Sequence, residues 1–150
     1  MSVSILKKIS IFSGLNDEEL KEILKLTSSK KYSENNEIIV KEGDTGDSFY
    51  MISKGKVKVT REDENGKVVV VSILGIGDFF GEMSLIDNSY RSANVVSMIN
   101  TEVLTLSGKD FLNLVKKNST ISFNLIKVLC ARIRKLDTQM KRLFTDEYFW

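Results

Sequence analysis

One polar, irregular segment, residues 77–95, combines residue types that can hold a small phosphate. Its sequence is GDFFGEMSLIDNSYRSANV. Gly81 allows close backbone approach, and a short helical turn beginning near Glu82 would direct free backbone N–H groups at an anion. Arg91 carries a guanidinium that can donate to two phosphate oxygens at once, which a lysine cannot do in the same fixed geometry. With Ser92 as a further donor, the segment predicts an anion site.

The same residues have simpler interpretations. Glu82 could accept a hydrogen bond from a sugar hydroxyl, but Glu82 and Arg91 could also form a surface ion pair worth about 0 to 1 kcal/mol. Gly81 could serve a turn and nothing else. Residue types alone leave these alternatives open.

The elements around this segment follow from periodicity. Residues 16–26 place apolar side chains at helical spacing behind Asn16 and Glu19, which predicts a capped amphipathic helix. Between about residues 30 and 106 the chain changes to short β-rich runs separated by Gly, Asn and Asp, which predicts an antiparallel barrel or sandwich. Helical periodicity returns after Ser107.

One hairpin is clear within the β-rich region. Lys56, Lys58 and Thr60 alternate with valines, which predicts a half-buried strand, and Asn65-Gly66 favours a tight primed turn. The run of four valines at 68–71 has no alternation, which predicts cover on both faces.

A long helix is predicted from about residue 121 to residue 144. Its apolar residues step by three and four positions, a pattern that favours packing against a partner helix. Leu125 and Val128 lie off this seam and are expected to pack on the β-rich region. The seam consists of Ile126, Leu129, Ile133, Leu136, Met140 and Leu143.

Composition excludes several classes of protein. The 150 residues contain no histidine, so the common zinc sites and the Ser-His or Cys-His nucleophiles are unavailable. The formal net charge of the chain is +2. One cysteine fits a reducing compartment, and no apolar run approaches the roughly 20 residues of a membrane span. We therefore expect a cytoplasmic, non-enzymatic protein with no metal and no cofactor.

Two motifs together resemble the cyclic-nucleotide-binding domain family, as in catabolite-activator regulators and the regulatory domains of cyclic-nucleotide-dependent kinases. FGEMSLIDNSYRSANV resembles the family's phosphate-binding cassette, and EGDTGDSFYMISKGKVKV its glycine-marked strand pair. The resemblance implies a mainly β fold with flanking helices. The β part would be an antiparallel, jelly-roll-like β-roll (double-stranded β-helix), with N-terminal helices before it and a long C-terminal helix after it.

The resemblance also implies residue roles. Arg91 would hold the cyclic phosphate with backbone amides near Ser84 and Ser92, and Glu82 would receive the ribose 2′-hydroxyl. Tyr90 departs from the proline that the family often has before its arginine, which implies a less rigid loop. The implied ligand-binding residues are Phe80, Gly81, Glu82, Met83, Ser84, Arg91, Ser92 and Ala93.

Base selection is expected partly from Ser92 and partly from the C-terminal helix closing over the purine. Asp137 could accept from guanine N1 and N2, or could pair with Lys141 one turn on. Thr138 could serve adenine. Cyclic AMP is the expected ligand on family frequency, with cyclic GMP as the alternative. The candidate base contacts are Arg132, Leu136, Asp137 and Thr138.

The resulting hypothesis is a sensor that couples cyclic AMP or cyclic GMP binding to movement of its C-terminal helix. Residues 1–118 would form the nucleotide-binding part, and residues 119–150 a lid and homodimerisation helix. No direct DNA binding is expected, because no second helical domain follows that helix before Trp150. The alternatives are a structural module with an empty site and the sensor part of a transcription regulator without its DNA-binding domain.

Overall fold

The computed structural model describes residues 2–148, which form two antiparallel four-stranded sheets flanked by helices. The first helical elements are α1 (Val3–Lys7), a 3-10 turn (Ser10–Phe12) and α2 (Asp17–Leu26). The strands are β1 (Ser28–Tyr32), β2 (Ile38–Val40), β3 (Ser48–Lys54), β4 (Lys56–Glu62), β5 (Val68–Gly75), β6 (Phe79–Phe80), β7 (Asn94–Ser97) and β8 (Thr101–Ser107). The remaining helices are α3 (Glu82–Ile86), α4 (Gly108–Lys117) and α5 (Ser119–Tyr148). The predicted β-roll with N-terminal helices and a long C-terminal helix is confirmed.

The two sheets pack face to face, in the orders β1-β8-β3-β6 and β2-β7-β4-β5. Strand β3 is buried on both faces because the helices cover one side of its sheet and the second sheet covers the other. Phe49 and Met51 belong to the helix-side core, whereas Tyr50 and Ile52 belong to the core between the sheets. This alternation places Tyr50 inside the roll, next to the 77–95 segment.

The N-terminal helices and α5 share the helix-side core. Asn16 and Glu19 form the predicted capping box of α2, and the Glu19 carboxylate also accepts from the Asn118 amide at 3.2 Å. Asn118 in turn accepts from the Ile121 N–H at 3.1 Å, at the start of α5. These contacts fix the direction in which α5 leaves the roll.

Helix α5 is buried along its first turns and exposed beyond them. Leu125 is buried and Val128 is half-buried, as the sequence predicted, but Ile133 and Met140 are 57% and 59% exposed. None of the helices within residues 2–148 has the length and apolar character needed to cross a bilayer. The division of the chain after residue 118 stays a prediction, and Phe149 and Trp150 lie outside the described residues.

The valine run at 68–71 corrects the sequence prediction. All four valines are exposed, at 45 to 59%, because β5 is the edge strand of its sheet and carries no covering layer. The valines on both faces of this edge strand are therefore exposed, whereas the lack of polar–apolar alternation had predicted that both faces are buried.

The β4–β5 hairpin differs from its prediction in two further details. The pairing of β4 with β5 shifts register at Val71, which is left unpaired between Ser72 and Val70, and Thr60 is buried where exposure was predicted. The turn is longer than a two-residue primed turn, since the Asp63 N–H donates to the Lys67 carbonyl across three residues and only Gly66 among them has a positive φ, of 80°. A three-residue loop with glycine in the left-handed position explains this geometry.

Candidate functional site

A cavity of about 710 Å³ lies between the mouth of the roll and α5. Its volume falls in the range of small-molecule sites. All eight residues that the resemblance implied as ligand contacts line it: Phe80, Gly81, Glu82, Met83, Ser84, Arg91, Ser92 and Ala93. These eight residues come from β6, α3, the residue between them and the loop after α3, and they are up to 13 positions apart in the sequence.

Arg91 is 6% exposed and is held by neutral groups. Its Nη1 donates to the Gly81 carbonyl and to the Ser84 hydroxyl, both at 2.7 Å, and its Nη2 donates to the Ser48 carbonyl at 2.6 Å. The guanidinium carbon also lies 5.9 Å from the centre of the Tyr50 ring. The side chain is thus fixed in the cavity wall by β3, α3 and the residue before α3.

The charge and donors of Arg91 are only partly satisfied by these contacts. Among residues 2–145, no carboxylate lies within 4.0 Å of its guanidinium. A guanidinium has five N–H donors, and three are used, which leaves Nε–H and one Nη2–H. Donors on neighbouring nitrogens form the fork that two phosphate oxygens accept. Since a buried cation is costly without a counter-charge, the site is suited to an anion.

The phenol of Tyr50 does not supply that counter-charge at neutral pH. Burial raises the pKa of the Tyr50 phenol above its ordinary value of 10.0. The Asp47 carboxylate raises this pKa further, and the Arg91 guanidinium partly opposes both effects. The ring stacks on Phe80 with centroids 4.9 Å apart, so Tyr50 serves as an uncharged wall of the roll.

Two glycines make room for the Arg91 side chain. Gly81 has a φ of 92°, the left-handed region, and precedes the first residue of α3; a Cβ there would lie 2.8 Å from Arg91 Nη1. Gly46 has no such backbone constraint, but a Cβ there would lie 2.7 Å from Arg91 Cζ and would also clash with the Ser84 hydroxyl. The sequence motifs assigned no role to Gly46, although it lies in the glycine-marked segment.

Glu82 is buried, and its carboxylate is paired with Arg132 of α5. Its side chain is 3% exposed, and Arg132 Nη1 lies 2.5 Å from Glu82 Oε1. Arg132 also donates to the Phe79 carbonyl at 2.9 Å and stacks over the Phe79 ring at 4.8 Å. The carboxylate expected to meet the ribose hydroxyl is therefore also the carboxylate that holds α5 against the roll.

The structure separates the four candidate base contacts. Arg132 and Leu136 line the cavity, whereas Asp137 and Thr138 are exposed on α5 and do not. Each helical residue is rotated by about 100° from the one before it, so positions 137 and 138 turn away from a cavity that faces position 136. The geometry of α5 therefore does not support base contacts by Asp137 and Thr138 in the cavity of the same chain. The base contacts of all four residues stay predictions.

Several cavity residues were missed from the sequence. Lys135 and Gln139 line it from α5, and Arg61, Val71 and Ile73 line it from the β4–β5 hairpin. Periodicity could have found Lys135 and Gln139, which lie three and seven residues after Arg132 on one helix face. Among residues 2–145, no group of three or more His, Cys, Asp or Glu side chains could hold a metal ion.

Comparison with known proteins decides the family. The family model described as "Cyclic nucleotide-binding domain" matches residues 30–118, more than half of the chain. The chain belongs to the cyclic nucleotide-binding domain family. Within this cyclic nucleotide-binding domain, the matched region contains both the 77–95 segment and the glycine-marked strand pair.

Relatives occur in more than one functional branch of the family. The Cyclic AMP receptor protein of Thermus thermophilus is 33% identical over 142 residues, which are 95% of this chain and 65% of that protein. A cGMP-dependent protein kinase of Caenorhabditis briggsae is 34% identical over 121 residues, 79% of this chain and 16% of the kinase. The chain thus spans less than two thirds of the length of either relative.

A solved structure confirms the fold. The crystal structure of Thermus thermophilus Catabolite Activator Protein superimposes with a TM-score of 0.80 at 34% sequence identity, covering 89% of this chain and 62% of that one. The names of these relatives refer to a cyclic AMP receptor, a cGMP-dependent protein kinase and a catabolite activator. The cyclic nucleotide-binding domain described here is therefore similar in sequence to part of the first two proteins, and similar in structure to part of the third.

Proposed function

We propose that this domain binds a cyclic nucleotide, cyclic AMP in preference to cyclic GMP, and reports its binding through α5. The observation that carries the proposal is the buried guanidinium of Arg91, which has two free donors and no carboxylate within 4.0 Å among residues 2–145. A cyclic phosphate supplies one negative charge and two free oxygens. It would complete both the charge and the hydrogen bonding of Arg91.

The Glu82–Arg132 pair supports the coupling to α5. A ribose hydroxyl that donates to Glu82 changes the electrostatic environment of the carboxylate that holds Arg132. Arg132 stands on α5, so a ligand with different affinities for two positions of α5 shifts the population toward the one it binds more tightly. Cyclic nucleotide and helix position are then linked through one side-chain contact.

The exposed seam of α5 supports homodimerisation. Ile133, Leu136 and Met140 are 57 to 59% exposed, and they recur at the spacing of a coiled coil. A second copy of α5 would remove these side chains from water. The basic residues beside the seam, Arg134, Lys135 and Lys141, then form its solvated flank.

A regulatory role, without catalysis, is the function we infer. The buried carboxylate of the cavity, Glu82, is engaged by Arg132 and is poorly placed to act as a general base. The similarity to regulatory domains also supports this role. A cytoplasmic location fits the single cysteine.

Calorimetric titration with cyclic AMP and cyclic GMP tests the proposal. We expect saturable binding of one nucleotide per chain, and Arg91→Lys should weaken it roughly 10- to 100-fold, because the charge stays while the two-donor geometry is lost. Arg134→Lys is the matched control, since Arg134 is exposed and does not line the cavity. Absence of heat with both nucleotides, or equal binding by Arg91→Lys, would refute the proposal.

A further inference from the structure

The loop between β2 and β3 (the β2–β3 loop) is hydrogen-bonded to the backbone of Arg91 on both sides. The Gly43 N–H donates to the Arg91 carbonyl at 2.9 Å, and the Arg91 N–H donates to the Asp44 carbonyl at 2.7 Å. Thr45 and Tyr90 form an antiparallel bridge next to these two bonds. Both main-chain polar groups of Arg91 are therefore bound by the same loop.

The β2–β3 loop also packs against the Arg91 side chain. Gly46 lies so close that a Cβ there would be 2.7 Å from Arg91 Cζ. Ser48, the first residue of β3 after this loop, accepts from Arg91 Nη2. A displacement of the loop would therefore move the backbone and the guanidinium of Arg91 together. The direction of the two free Arg91 donors depends on where the loop lies.

One side chain of β7 ties the β2–β3 loop to the strand that follows Arg91. The Asn94 side-chain oxygen accepts from the Glu42 N–H at 2.8 Å, near the start of the loop. A second link is weaker, because the Glu42 carboxylate lies 3.7 Å from Arg61 Nε and the Arg61 side chain is 58% exposed. The Asn94 bond is partly buried, so removing its acceptor would leave the Glu42 N–H short of a partner at a cost in free energy.

From these contacts we propose that Asn94 is a positioning residue, which acts on the ligand through Arg91. Asn94 holds the β2–β3 loop, and the loop holds the guanidinium in the direction that a phosphate requires. Asn94 itself does not line the cavity. The proposal rests on the proposed cyclic-nucleotide function and adds to it a residue that supports the anion site from behind.

The test is a double-mutant cycle between Asn94 and Arg91, measured by calorimetric titration with cyclic AMP. Asn94→Leu removes the acceptor oxygen, and we expect it to weaken binding roughly 3- to 10-fold when Arg91 is present. In the Arg91→Lys background the same change should have little further effect, because the two-donor geometry that Asn94 supports is already lost. A merely structural role would weaken binding by the same factor in both backgrounds.

Three further variants complete the test. Asn94→Asp keeps the acceptor oxygen in a side chain of nearly the same shape, so it should bind cyclic AMP more tightly than Asn94→Leu does. Asn94→Ala removes the oxygen without adding bulk and should follow Asn94→Leu, which keeps the test valid if leucine does not fit. Asn113→Leu is the matched control, since Asn113 is exposed on α4 and does not line the cavity. It should leave binding unchanged.

The possible failures are distinguishable. If wild type binds neither cyclic AMP nor cyclic GMP, both the proposed function and the role of Asn94 are wrong. If wild type binds and the Leu and Ala variants of Asn94 bind equally well, only the role of Asn94 is wrong. The same holds if these variants lose the same factor with and without Arg91→Lys. Binding by Asn94→Asp that is no tighter than binding by Asn94→Leu would also overturn the role, because the retained oxygen would then have no effect.

Discussion

At the scale of single residues, the site is dominated by the cost of keeping Arg91 inside the protein. Its three hydrogen bonds go to two carbonyls and a hydroxyl, which satisfy donors without cancelling the charge. A protein that retains such a residue without an anion gives up stability. The proposed ligand would remove this cost on binding.

Gly46 offers a residue-scale test of how tightly Arg91 is held. Gly46→Ala would place a methyl group 2.7 Å from Arg91 Cζ, so the guanidinium or the backbone must move. We expect a loss of about 1 to 3 kcal/mol in the free energy of unfolding and weaker nucleotide binding. Urea denaturation and calorimetry measure the two effects.

Gly75→Ala is the matched control, because its added Cβ would meet no heavy atom closer than 4.0 Å and Gly75 also has an ordinary φ. The control should change both quantities little. Equal effects of Gly46→Ala and Gly75→Ala would mean that the space beside Arg91 is unimportant.

The sequence predicted site residues where a motif joined neighbouring positions, and it missed those brought in by folding. Glu82 and Arg91 share one segment, and both line the cavity. Gly46 and Ser48 reach Arg91 through the position of β3 in its sheet, which residue types alone do not determine. The pairing of Arg132 with Glu82, 50 residues apart, was hidden for the same reason.

At the scale of elements, α5 presents two faces that meet at one residue. One face lines the cavity through Arg132, Leu136 and Gln139, and the other carries the seam through Ile133, Leu136 and Met140. Leu136 belongs to both. Under the proposed function, a movement of α5 toward a bound nucleotide would therefore also change the position of the surface offered to a second copy.

The Glu82–Arg132 pair gives the element-scale prediction. Arg132→Met should lower the free energy of unfolding by about 1 to 3 kcal/mol, because Glu82 stays buried without its counter-charge. The effect is smaller than for a fully buried pair, since the Arg132 side chain is 35% exposed. Urea denaturation measures it.

A double-mutant cycle supplies the control. Glu82→Gln removes the buried charge, so Arg132→Met should cost less in that background than in wild type. Additive effects of the two substitutions would contradict energetic coupling between Glu82 and Arg132.

Helices were predicted more accurately than strand environments. The capping box at Asn16 and the long periodic pattern of α5 are local signals, and both are confirmed. The valines at 68–71 gave the wrong environment because burial of a strand depends on the layers that pack against the faces of its sheet, and all four valines are 45 to 59% exposed. β1 begins at Ser28, slightly before the predicted β-rich region, and its sequence, Ser-Ser-Lys-Lys-Tyr, lacks the β-branched residues typical of strands.

At the scale of the whole molecule, the proposal joins a nucleotide site to an assembly surface. Ile133→Glu and Met140→Glu should each give a monomer in analytical ultracentrifugation, because a buried seam position cannot hold a carboxylate at low cost. Neither residue lines the cavity, so nucleotide affinity should change little.

Lys141→Glu is the control for added negative charge, since Lys141 lies on α5 outside the seam and is exposed. It should leave the dimer intact. A wild-type protein that stays monomeric with and without cyclic AMP would contradict the proposed role of the seam.

The most direct measurement of the central claim is a crystal structure of the protein grown with cyclic AMP. We predict the cyclic phosphate within hydrogen-bond distance of Arg91 Nε and Nη2, with the ribose hydroxyl on the Glu82 carboxylate. A nucleotide bound elsewhere, or one whose phosphate faces solvent while Arg91 keeps only its contacts to Ser48, Gly81 and Ser84, would contradict the account.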